Sequence, residues 1–292
     1  MNNILVILLP LLFLSTITKA EVIHSERSLY TNILVDEKDN SRCLKFSLRR
    51  ELSSQSCINI KEPQKLVFSY YKLLFSSLLV LDNPENILII GLGGGIMSNT
   101  IHQIYPNAQI TNVEIDPAVI KVAEDFFNFK TNNKVAAVEQ DGRIFVKRAK
   151  LKNQRYDWII LDAFNGDYIP EHLMTAEFLQ DVKALLSERG VVAANTFSSS
   201  KLYKYESATY AHVFGPFYNV RFNYHGNRII LSKPKNNAGL VSLREKAKSL
   251  EQQLALYNID IFAVLNAMET TQDWPTEHDI LTDQYSPANL LK

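Results

Sequence analysis

The sequence predicts a doubly wound α/β sheet preceded by a small antiparallel β-domain. Continuous apolar runs, of which residues 87–90 are the first, alternate with helical patterns from residue 86 onward. Such runs are typical of parallel strands that helices bury on both faces. A glycine-rich segment, residues 91–95, directly follows the first run. Residues 21–60 instead carry short, alternating patterns rich in β-branched side chains, which indicate antiparallel strands.

The composition is that of an ordinary globular protein. Of the 292 residues, 46% are hydrophobic and 21% are charged, and the 31 basic residues balance the 31 acidic ones. This length is sufficient for one large and one small domain, each with its own core. The absence of net charge and of a basic block argues against a nucleic-acid partner, because such proteins cluster Lys and Arg against phosphates.

The first twenty residues form a separate segment. Residues 4–13 are apolar, and Thr18 and Ala20 are small enough for the −3 and −1 positions of a cleavage site. The apolar stretch is too short to span a bilayer core of about 30 Å, but it suits the core of a signal peptide. We therefore expect export to the periplasm or the outside, with no membrane span left after cleavage. An uncleaved anchor and a buried helix are the alternatives.

The two cysteines are expected to form a disulfide. Cys43 and Cys57 lie on two runs that indicate a hairpin whose turn centres near Arg50. Residues whose numbers add up to 100 then face each other, which places the two cysteines opposite. The β-carbons of such a cross-strand pair lie about 4.5–5.5 Å apart, close to disulfide range. An oxidising compartment favours the disulfide, and two half-buried thiols are the alternative.

The rest of the N-terminal part contains a strand, a turn and a helix. A strand at residues 30–35 precedes a turn at 36–40, and the two cysteine strands come next. Leu66, Tyr70 and Leu73 have helical spacing and predict a helix over residues 62–81.

The α/β part then follows in chain order. Its predicted elements are a strand at residues 87–90, a helix to about residue 105, a strand at 108–115, a helix at 117–127, strands at 135–139, 158–161 and 190–195, a closing hairpin of 221–224 with 228–231, and an amphipathic helix at 240–254. We therefore divide the chain into a signal peptide (1–20), an N-terminal β-domain (21–62) and an α/β domain (63–292).

Acidic residues end three of the predicted parallel strands. Glu114 ends the second strand, Asp141 closes the third and Asp162 ends the fourth. Ligands of open α/β sheets bind outside the carboxyl ends of the strands, where the strand order reverses. An acid in the place of Glu114 can accept both hydroxyls of a ribose, and glycines after the first strand let backbone N–H groups approach a ligand closely. We therefore predict a nucleoside site at this edge, with Asp162 near its reacting end.

Four segments at these strand ends carry recognisable motifs. They read IIGLGGG at residues 89–95, VEIDPAVI at 113–120, QDGR at 140–143 and YDWIILD at 156–162. Together they resemble the polyamine aminopropyltransferases, the spermidine synthase family, and residues 28–33 and 68–70 are similar to two further segments of that family. The resemblance spans about residues 25–235. It implies a Rossmann-like sheet of the class I methyltransferase type.

The resemblance implies transfer of an aminopropyl group from decarboxylated S-adenosylmethionine to a small amine, without a metal. Glu114 corresponds to the ribose ligand of the family. The full set of expected cofactor contacts is Gly91, Gly93, Glu114 and Ile115, together with Asp141 and Gly142 at the adenine. A homodimer is a further expectation.

The amine half of the site is expected around Asp162, which stands where the family has its proton acceptor. Amines are mostly protonated at neutral pH, so that a base must remove a proton before the amine can attack. Tyr70 stands where the family has a tyrosine that helps to hold the amine and the base. Asn165 and Asp167, on the loop that follows Asp162, complete the expected substrate contacts.

Three positions depart from the family pattern. Gly94 occupies the place of a loop aspartate that grips the aminopropyl ammonium, Asn165 replaces a second acid, and Thr31 replaces a glutamine. A dicationic amine would lose two negative partners, and an unpaired buried charge is expensive, although Asp167 offers a replacement for one of them. These departures argue against ordinary polyamine substrates.

Two other functions stay open at this point. Loss of the loop aspartate removes a group that would repel the carboxylate of intact S-adenosylmethionine, which favours a methyltransferase. The lost amine contacts favour a catalytically silent protein that binds a nucleoside or an amine. Among the six histidines, whose spacing does not suit a metal site, His172 lies near enough to the Asp162 loop to be an additional site residue.

Overall fold

The computed structural model describes residues 20–47, 53–164, 168–222, 226–233 and 240–287. The predicted signal peptide, apart from Ala20, lies outside these residues, as do the turn near Arg50 and the predicted substrate contacts Asn165 and Asp167. No helix within the described ranges is long and apolar enough to cross a membrane.

A four-stranded antiparallel sheet forms the N-terminal part. Its strands are β1 (Glu21–Arg27), β2 (Asn32–Lys38), β3 (Ser41–Ser47) and β4 (Ser53–Asn59), paired in chain order. The predicted turn at 36–40 is too wide, because β2 continues through Asp36, whose buried carboxylate pairs with Lys45 on β3. Asp39 and Asn40 alone make the turn, with φ of 54° and 92°, a conformation that Asn and Asp tolerate better than other side chains.

The predicted register of the cysteine hairpin is confirmed. Ser41 pairs with Asn59 and Cys43 pairs with Cys57, so that paired residue numbers add up to 100 until the register shifts after Leu44. The structure joins Cys43 and Cys57 in a disulfide, with their Cα atoms 4.1 Å apart.

The predicted helix over residues 62–81 is wrong in its first half. An α-helix, α1 (Ser69–Leu74), is followed by one 3-10 helix (Phe75–Leu79). Leu66 forms a bridge with Ile58 of β4, and its N–H donates to the carbonyl oxygen of Tyr257 at 3.0 Å. The segment before Ser69 therefore forms a turn, closed by the Lys65 N–H and the Glu62 carbonyl oxygen, and a β-bridge instead of a helix, although its apolar residues have helical spacing.

An eight-stranded sheet forms the rest of the molecule, with its elements in the predicted alternation. The elements are β5 (Asn86–Ile90), α2 (Ile96–Ile104), β6 (Gln109–Glu114), α3 (Pro117–Phe126), β7 (Val135–Glu139), α4 (Gly142–Leu151), β8 (Tyr156–Leu161), a 3-10 helix (Glu171–Leu173), α5 (Ala176–Ala184), β9 (Leu186–Phe197), α6 (Tyr203–Phe214), β10 (Tyr218–Val220), β11 (Asn227–Ser232), α7 (Leu240–Ala255), α8 (Ile261–Asn266) and β12 (Met268–Glu269). The strand order is β12-β10-β11-β9-β8-β5-β6-β7. The five strands from β9 to β7 are parallel, whereas β11, β10 and β12 are antiparallel. The predicted doubly wound fold is thereby confirmed.

The closing hairpin begins earlier than the sequence suggests. Its first strand is β10, which ends at Val220, and Val220 pairs with Ile229 of β11. Arg221 follows the end of this strand, and its guanidinium forms ion pairs with Glu269 and Asp273. Residues 223 and 224 of the predicted strand, and residue 225 of the predicted turn, lie outside the described part of the chain.

The two sheets share one hydrophobic core. Ile33, Val35 and Leu44 of the small sheet are buried in the same cluster as Ile87 and Trp158 of the large sheet. The small sheet is therefore fixed against the end of α1 and the glycine loop, where it can form one wall of a cleft.

Candidate active site

The carboxyl ends of β5 and β8 open into one cleft. The chain proceeds from β5 to β6 and β7 on one side and then returns to β8 on the other, so the strand order reverses between β5 and β8. Open α/β sheets bind their ligands at this position. The cleft has a volume of about 250 Å³. Every predicted site residue that the structure describes lies on its wall: Tyr70, Gly91, Gly93, Glu114, Ile115, Asp141, Gly142 and Asp162.

The glycine loop packs directly against the residue that follows β8. Gly91 has a φ of 95°, and a β-carbon at this position would lie 2.3 Å from the carbonyl oxygen of Asp162. Gly93 has a φ of 53°, and a β-carbon there would lie 2.7 Å from the Ser56 hydroxyl. Glycine is needed at both positions because the backbone is left-handed and the space is filled.

Glu114 presents its carboxylate at the end of β6. Its Oε2 accepts a hydrogen bond from the Leu92 N–H at 3.0 Å, and its Oε1 accepts one from the Asp116 N–H at 3.1 Å. Burial raises the pKa of the Glu114 carboxyl, and these two backbone hydrogen bonds oppose the shift. A carboxylate has about four acceptor positions, so this group can also accept hydroxyls of a ligand.

Asp141 begins α4 and contacts a histidine across the cleft. Its Oδ1 accepts the Ile144 N–H at 2.9 Å as the helix N-cap, and its Oδ2 lies 2.9 Å from His172 Nε2. Gly142 must be glycine, because a β-carbon would lie 2.6 Å from the Ile90 side chain. His172 therefore lies at the predicted adenine end of the cleft, in contact with Asp141.

Asp162 lies at the opposite end of the cleft, next to Tyr70 and Tyr71. Asn195 donates a hydrogen bond from Nδ2 to Asp162 Oδ1 at 2.8 Å. Burial raises the pKa of the Asp162 carboxyl to about 7, and hydrogen bonds from Asn195 and Tyr70 oppose this shift. The residue as a whole is half-buried and lines the cleft. A carboxylate with this pKa is suited to accept a proton near neutral pH.

The tyrosines of α1 complete this end of the cleft. The rings of Tyr70 and Tyr71 lie 4.2 Å apart between centroids. Burial, followed by the charge of Asp162, raises the pKa of both hydroxyls, so that both stay protonated at neutral pH. Two protonated hydroxyls can therefore donate toward the carboxylate or toward a bound ligand.

Ser56 fills the space next to Gly94. The Gly94 N–H donates to Ser56 Oγ at 2.9 Å, and Ser56 Oγ lies 2.9 Å from the Tyr71 hydroxyl. A β-carbon at Gly94 would lie 3.0 Å from Ser56 and 3.1 Å from the Phe127 ring. An acidic side chain at position 94 therefore does not fit unless these neighbours move.

Several residues of the cleft are not identified by the sequence analysis. They come from the small sheet and the connection between its first two strands, from α1 and from the start of α3: Tyr30, Phe46, Ser56, Tyr71 and Asp116. Asn195 does not line the cleft but contacts Asp162 from behind, and the sequence analysis also missed it. It lies two residues before the carboxyl end of β9, near the same edge as the predicted acids, so the rule that selected those acids would have selected it if amides had been included. The other five follow no such pattern, because the packing of separate elements brings them to the cleft.

The described ranges contain no group of three or more His, Cys, Asp or Glu side chains that could hold a metal ion.

Residues 68–225 match the family model described as the spermine/spermidine synthase domain. A polyamine aminopropyltransferase of Vibrio vulnificus (strain CMCP6) is 44% identical over 280 residues, which are 95% of this chain and 93% of that protein. The family match contains Tyr70, the glycine loop, Glu114 and Asp162, whereas Thr31 and Ser56 precede it.

Two crystal structures are similar to the fold. Human methyltransferase-like protein 13 in complex with SAH is 26% identical, with a TM-score of 0.59, and the match covers 65% of this chain and 93% of that chain. A probable spermidine synthase from Corynebacterium glutamicum ATCC 13032 is 19% identical, with a TM-score of 0.65 over 86% of this chain and 96% of that chain. The second similarity shows the fold alone.

Proposed function

The chain belongs to the spermine/spermidine synthase family, and we propose that it transfers an aminopropyl group from decarboxylated S-adenosylmethionine to a small amine. The family match covers the large sheet up to β10. The observation that carries the proposal is the cleft itself, in which Asp162 and Tyr70 lie at one end and Glu114 and Asp141 at the other. A base for the amine and ligands for a nucleoside thus line one cavity.

The nucleoside half of the cleft fits a sulfonium nucleoside. Glu114 would accept the ribose hydroxyls, and Asp141 with Gly142 would contact the adenine, beside the exposed side chain of Ile115. A β-carbon at Gly91 would clash with the backbone of Asp162, so glycine at this position lets the loop lie directly beside the residue proposed as the base. When bound, the nucleoside supplies the aminopropyl carbon and a thioether leaving group.

The chain's own residues prepare the amine for attack. Asp162 accepts a proton from the ammonium form of the acceptor, which frees the nitrogen lone pair for bond formation with the aminopropyl carbon. As that bond forms, the carbon–sulfur bond breaks and its electron pair stays on sulfur, which becomes a neutral thioether. The rings of Tyr70 and Tyr71 stabilise nearby positive charge through their faces, and their hydroxyls hold the amine next to Asp162.

Turnover of Asp162→Asn tests this assignment. Asparagine keeps the shape and the hydrogen bond from Asn195 but cannot accept a proton. We expect turnover to fall by about 10²–10⁴-fold, the usual contribution of a positioned base, while nucleoside affinity is kept. In the wild type the rate should rise with pH through about 7, the pKa of the carboxyl.

The matched control is Asp125→Asn, which removes an exposed carboxylate that pairs with Lys121 on α3. This variant should turn over at the wild-type rate. Equal rates for wild type and Asp162→Asn would refute the role of Asp162 as the base.

Methyl transfer from intact S-adenosylmethionine is the second candidate function, and Gly94 is the observation that favours it. Residues 91–95 contain no carboxylate that would repel the carboxylate of the intact cofactor, and Ser56 and Phe127 occupy the space next to Gly94. The similarity to methyltransferase-like protein 13, whose structure contains SAH, is consistent with this reading. Calorimetric titration with intact and with decarboxylated cofactor discriminates the two functions, because aminopropyl transfer requires tighter binding of the decarboxylated form.

We further propose that the protein is exported and that residues 1–20 are the signal. The Cys43–Cys57 disulfide supports export, since disulfides persist in oxidising compartments. The N-terminal sequence of the mature protein tests this proposal, which expects a chain that begins at Glu21. Assembly as a homodimer stays a prediction, and sedimentation of the purified protein tests it.

A further inference from the structure

A chain of two side-chain amides reaches Asp162 from the strands behind it. Asn195 donates from Nδ2 to Asp162 Oδ1 at 2.8 Å, and Asn227 donates from Nδ2 to Asn195 Oδ1 at 3.0 Å. Asn195 is 3% exposed, so water does not replace either hydrogen bond. We propose that Asn195, oriented by Asn227, is a positioning residue that keeps Asp162 ionised and directed into the cleft. This inference rests on the proposed role of Asp162 as the base.

The strand register explains why the amide meets the carboxylate. Leu161 of β8 pairs with Ala194 of the parallel strand β9, so the next residues along the two strands, Asp162 and Asn195, come out side by side. On the other side of β9, Asn195 pairs with Ile229 of β11, two residues from Asn227. The two amides and the carboxylate therefore lie in one row across three neighbouring strands.

The chemistry of the groups determines the direction of the row. An ionised carboxylate only accepts hydrogen bonds, so Asn195 must turn its NH₂ group toward Asp162 and its oxygen away. The oxygen then needs a donor, and Asn227 supplies one. If Asn227 were absent, the buried oxygen of Asn195 would lose its partner, and the amide would gain by rotating away from the carboxylate.

The hydrogen bond from Asn195 favours the charged form of Asp162. A donor that contacts a carboxylate stabilises its ionised state and counteracts the effect of burial. Because Asn195 holds Oδ1, the second oxygen of the carboxylate is left to receive the proton of the amine. Asn195 thus acts on both the rotamer and the charge of Asp162 from a position outside the cleft.

The other titratable groups around Asp162 are consistent with this role. Tyr70 and Tyr71 face Asp162 from α1 and stay protonated. Glu114 lies on the β6 side of the same cleft. Behind the row, Glu206 pairs with Arg228 at 3.2 Å and borders a cavity of about 20 Å³ together with Asn195. This pair already compensates its own charge, so Asn195 is the donor that the strands behind Asp162 provide within the described residues.

The experiment is a titration of the Asp162 carboxyl by NMR in protein labelled with ¹³C at the aspartate carboxyl groups, with the signal identified by its loss in Asp162→Asn. We expect the midpoint in Asn195→Ala to lie about one pH unit above that of the wild type, as expected for the loss of one hydrogen bond to a charged group. Asn227→Ala should shift the midpoint in the same direction by less. Because Asn227 is only half-buried, this second variant tests the row even if Asn195→Ala fails to fold.

The control is Asn112→Ala, which removes another fully buried amide, one on β6 that donates to Ser98 and to the Ala136 carbonyl and is separated from β8 by β5. It should leave the midpoint unchanged. In the kinetic counterpart, the acidic limb of kcat/KM for the amine against pH, which reports the free enzyme, should shift in the same direction as the NMR midpoint, while KM for the nucleoside stays constant.

The outcomes separate this inference from the proposed function. Equal midpoints in wild type, Asn195→Ala and Asn227→Ala would overturn the inference, as would an equally large shift in Asn112→Ala. A wild-type protein without turnover would contradict the proposed function but would leave the NMR comparison intact, since the titration needs no substrate.

Discussion

Replacement of Asp162 by asparagine should make the protein more stable at neutral and alkaline pH. Burial raises the pKa of this carboxyl from 3.8 to about 7, so the folded chain binds the proton more tightly than the unfolded chain does. Ionisation of Asp162 therefore opposes folding. The cost is absent below about pH 4, grows between pH 4 and 7, and is complete above pH 7. Asparagine resembles the protonated acid and avoids the cost at every pH.

The size of the effect follows from the same pKa. A pKa difference of one unit corresponds to about 1.4 kcal/mol, so a shift from 3.8 to about 7 sets an upper bound of roughly 4 kcal/mol. Asp162 is half-buried and opens to the cleft, and solvent screening reduces the cost. We therefore expect Asp162→Asn to raise the free energy of unfolding by about 1–3 kcal/mol at pH 8.

Urea unfolding of wild type and Asp162→Asn at pH 4 and at pH 8 measures this difference. The two proteins should be equally stable at pH 4, and the variant should be more stable at pH 8. All other titrating groups are common to both proteins, so their contributions cancel in the comparison. A stability difference that is the same at both pH values would refute the reasoning, because it would show that Asp162 has no raised pKa in the folded protein.

Three other predictions concern the nucleoside ligand, the disulfide and the glycine loop. Glu114→Gln should weaken binding of the thioether product by about 1.5–3 kcal/mol, the scale of a hydrogen bond to a charged group, and unchanged affinity in calorimetry would limit Glu114 to a structural role. Replacement of Cys43 and Cys57 by serine should lower the free energy of unfolding by about 3 kcal/mol, because the disulfide closes a loop of 14 residues; equal urea midpoints under oxidising conditions would contradict this. Gly91→Ala should abolish nucleoside binding, since its β-carbon would lie 2.3 Å from a backbone oxygen. The control is Gly215→Ala, because Gly215 also has a positive φ but a β-carbon there would meet no atom within 4 Å. This variant should keep full affinity for the nucleoside. An equal loss of affinity in both variants would show that backbone strain, and not the clash with Asp162, causes the loss.

The elements that local sequence determines could be predicted from the sequence. Residues 135–139 form a strand with the predicted bounds, because a short apolar run between turns on a parallel sheet has few alternatives. The pairing of Cys43 with Cys57 could be predicted because a hairpin register follows from the position of its turn. The segment before Ser69 could not be predicted, because its structure depends on partners outside the segment. Leu66 forms a bridge with Ile58 of β4 and a hydrogen bond with Tyr257, which is distant in sequence.

The candidate site shows the same division. Glu114 and Asp162 could be predicted to lie on one cleft because the carboxyl ends of parallel strands share one edge of a sheet. The wall of the cleft that the small sheet provides could not be predicted. Its residues Ser56 and Phe46 reach the cleft only because the small sheet packs against the large one. Asn195 was within reach of the same rule as the acids, but an amide at a strand end indicates no chemistry until its hydrogen-bond partner is known.

The nucleoside product of a competition reaction tests the central claim most directly. Wild-type protein is incubated with an amine and equal amounts of intact and decarboxylated S-adenosylmethionine, and the released thioether is identified by chromatography and mass spectrometry. Aminopropyl transfer releases 5′-methylthioadenosine together with an amine that has gained an aminopropyl group, and we expect this product, with its formation lost in Asp162→Asn. Release of S-adenosylhomocysteine together with a methylated amine would contradict the account and assign the cleft to methyl transfer.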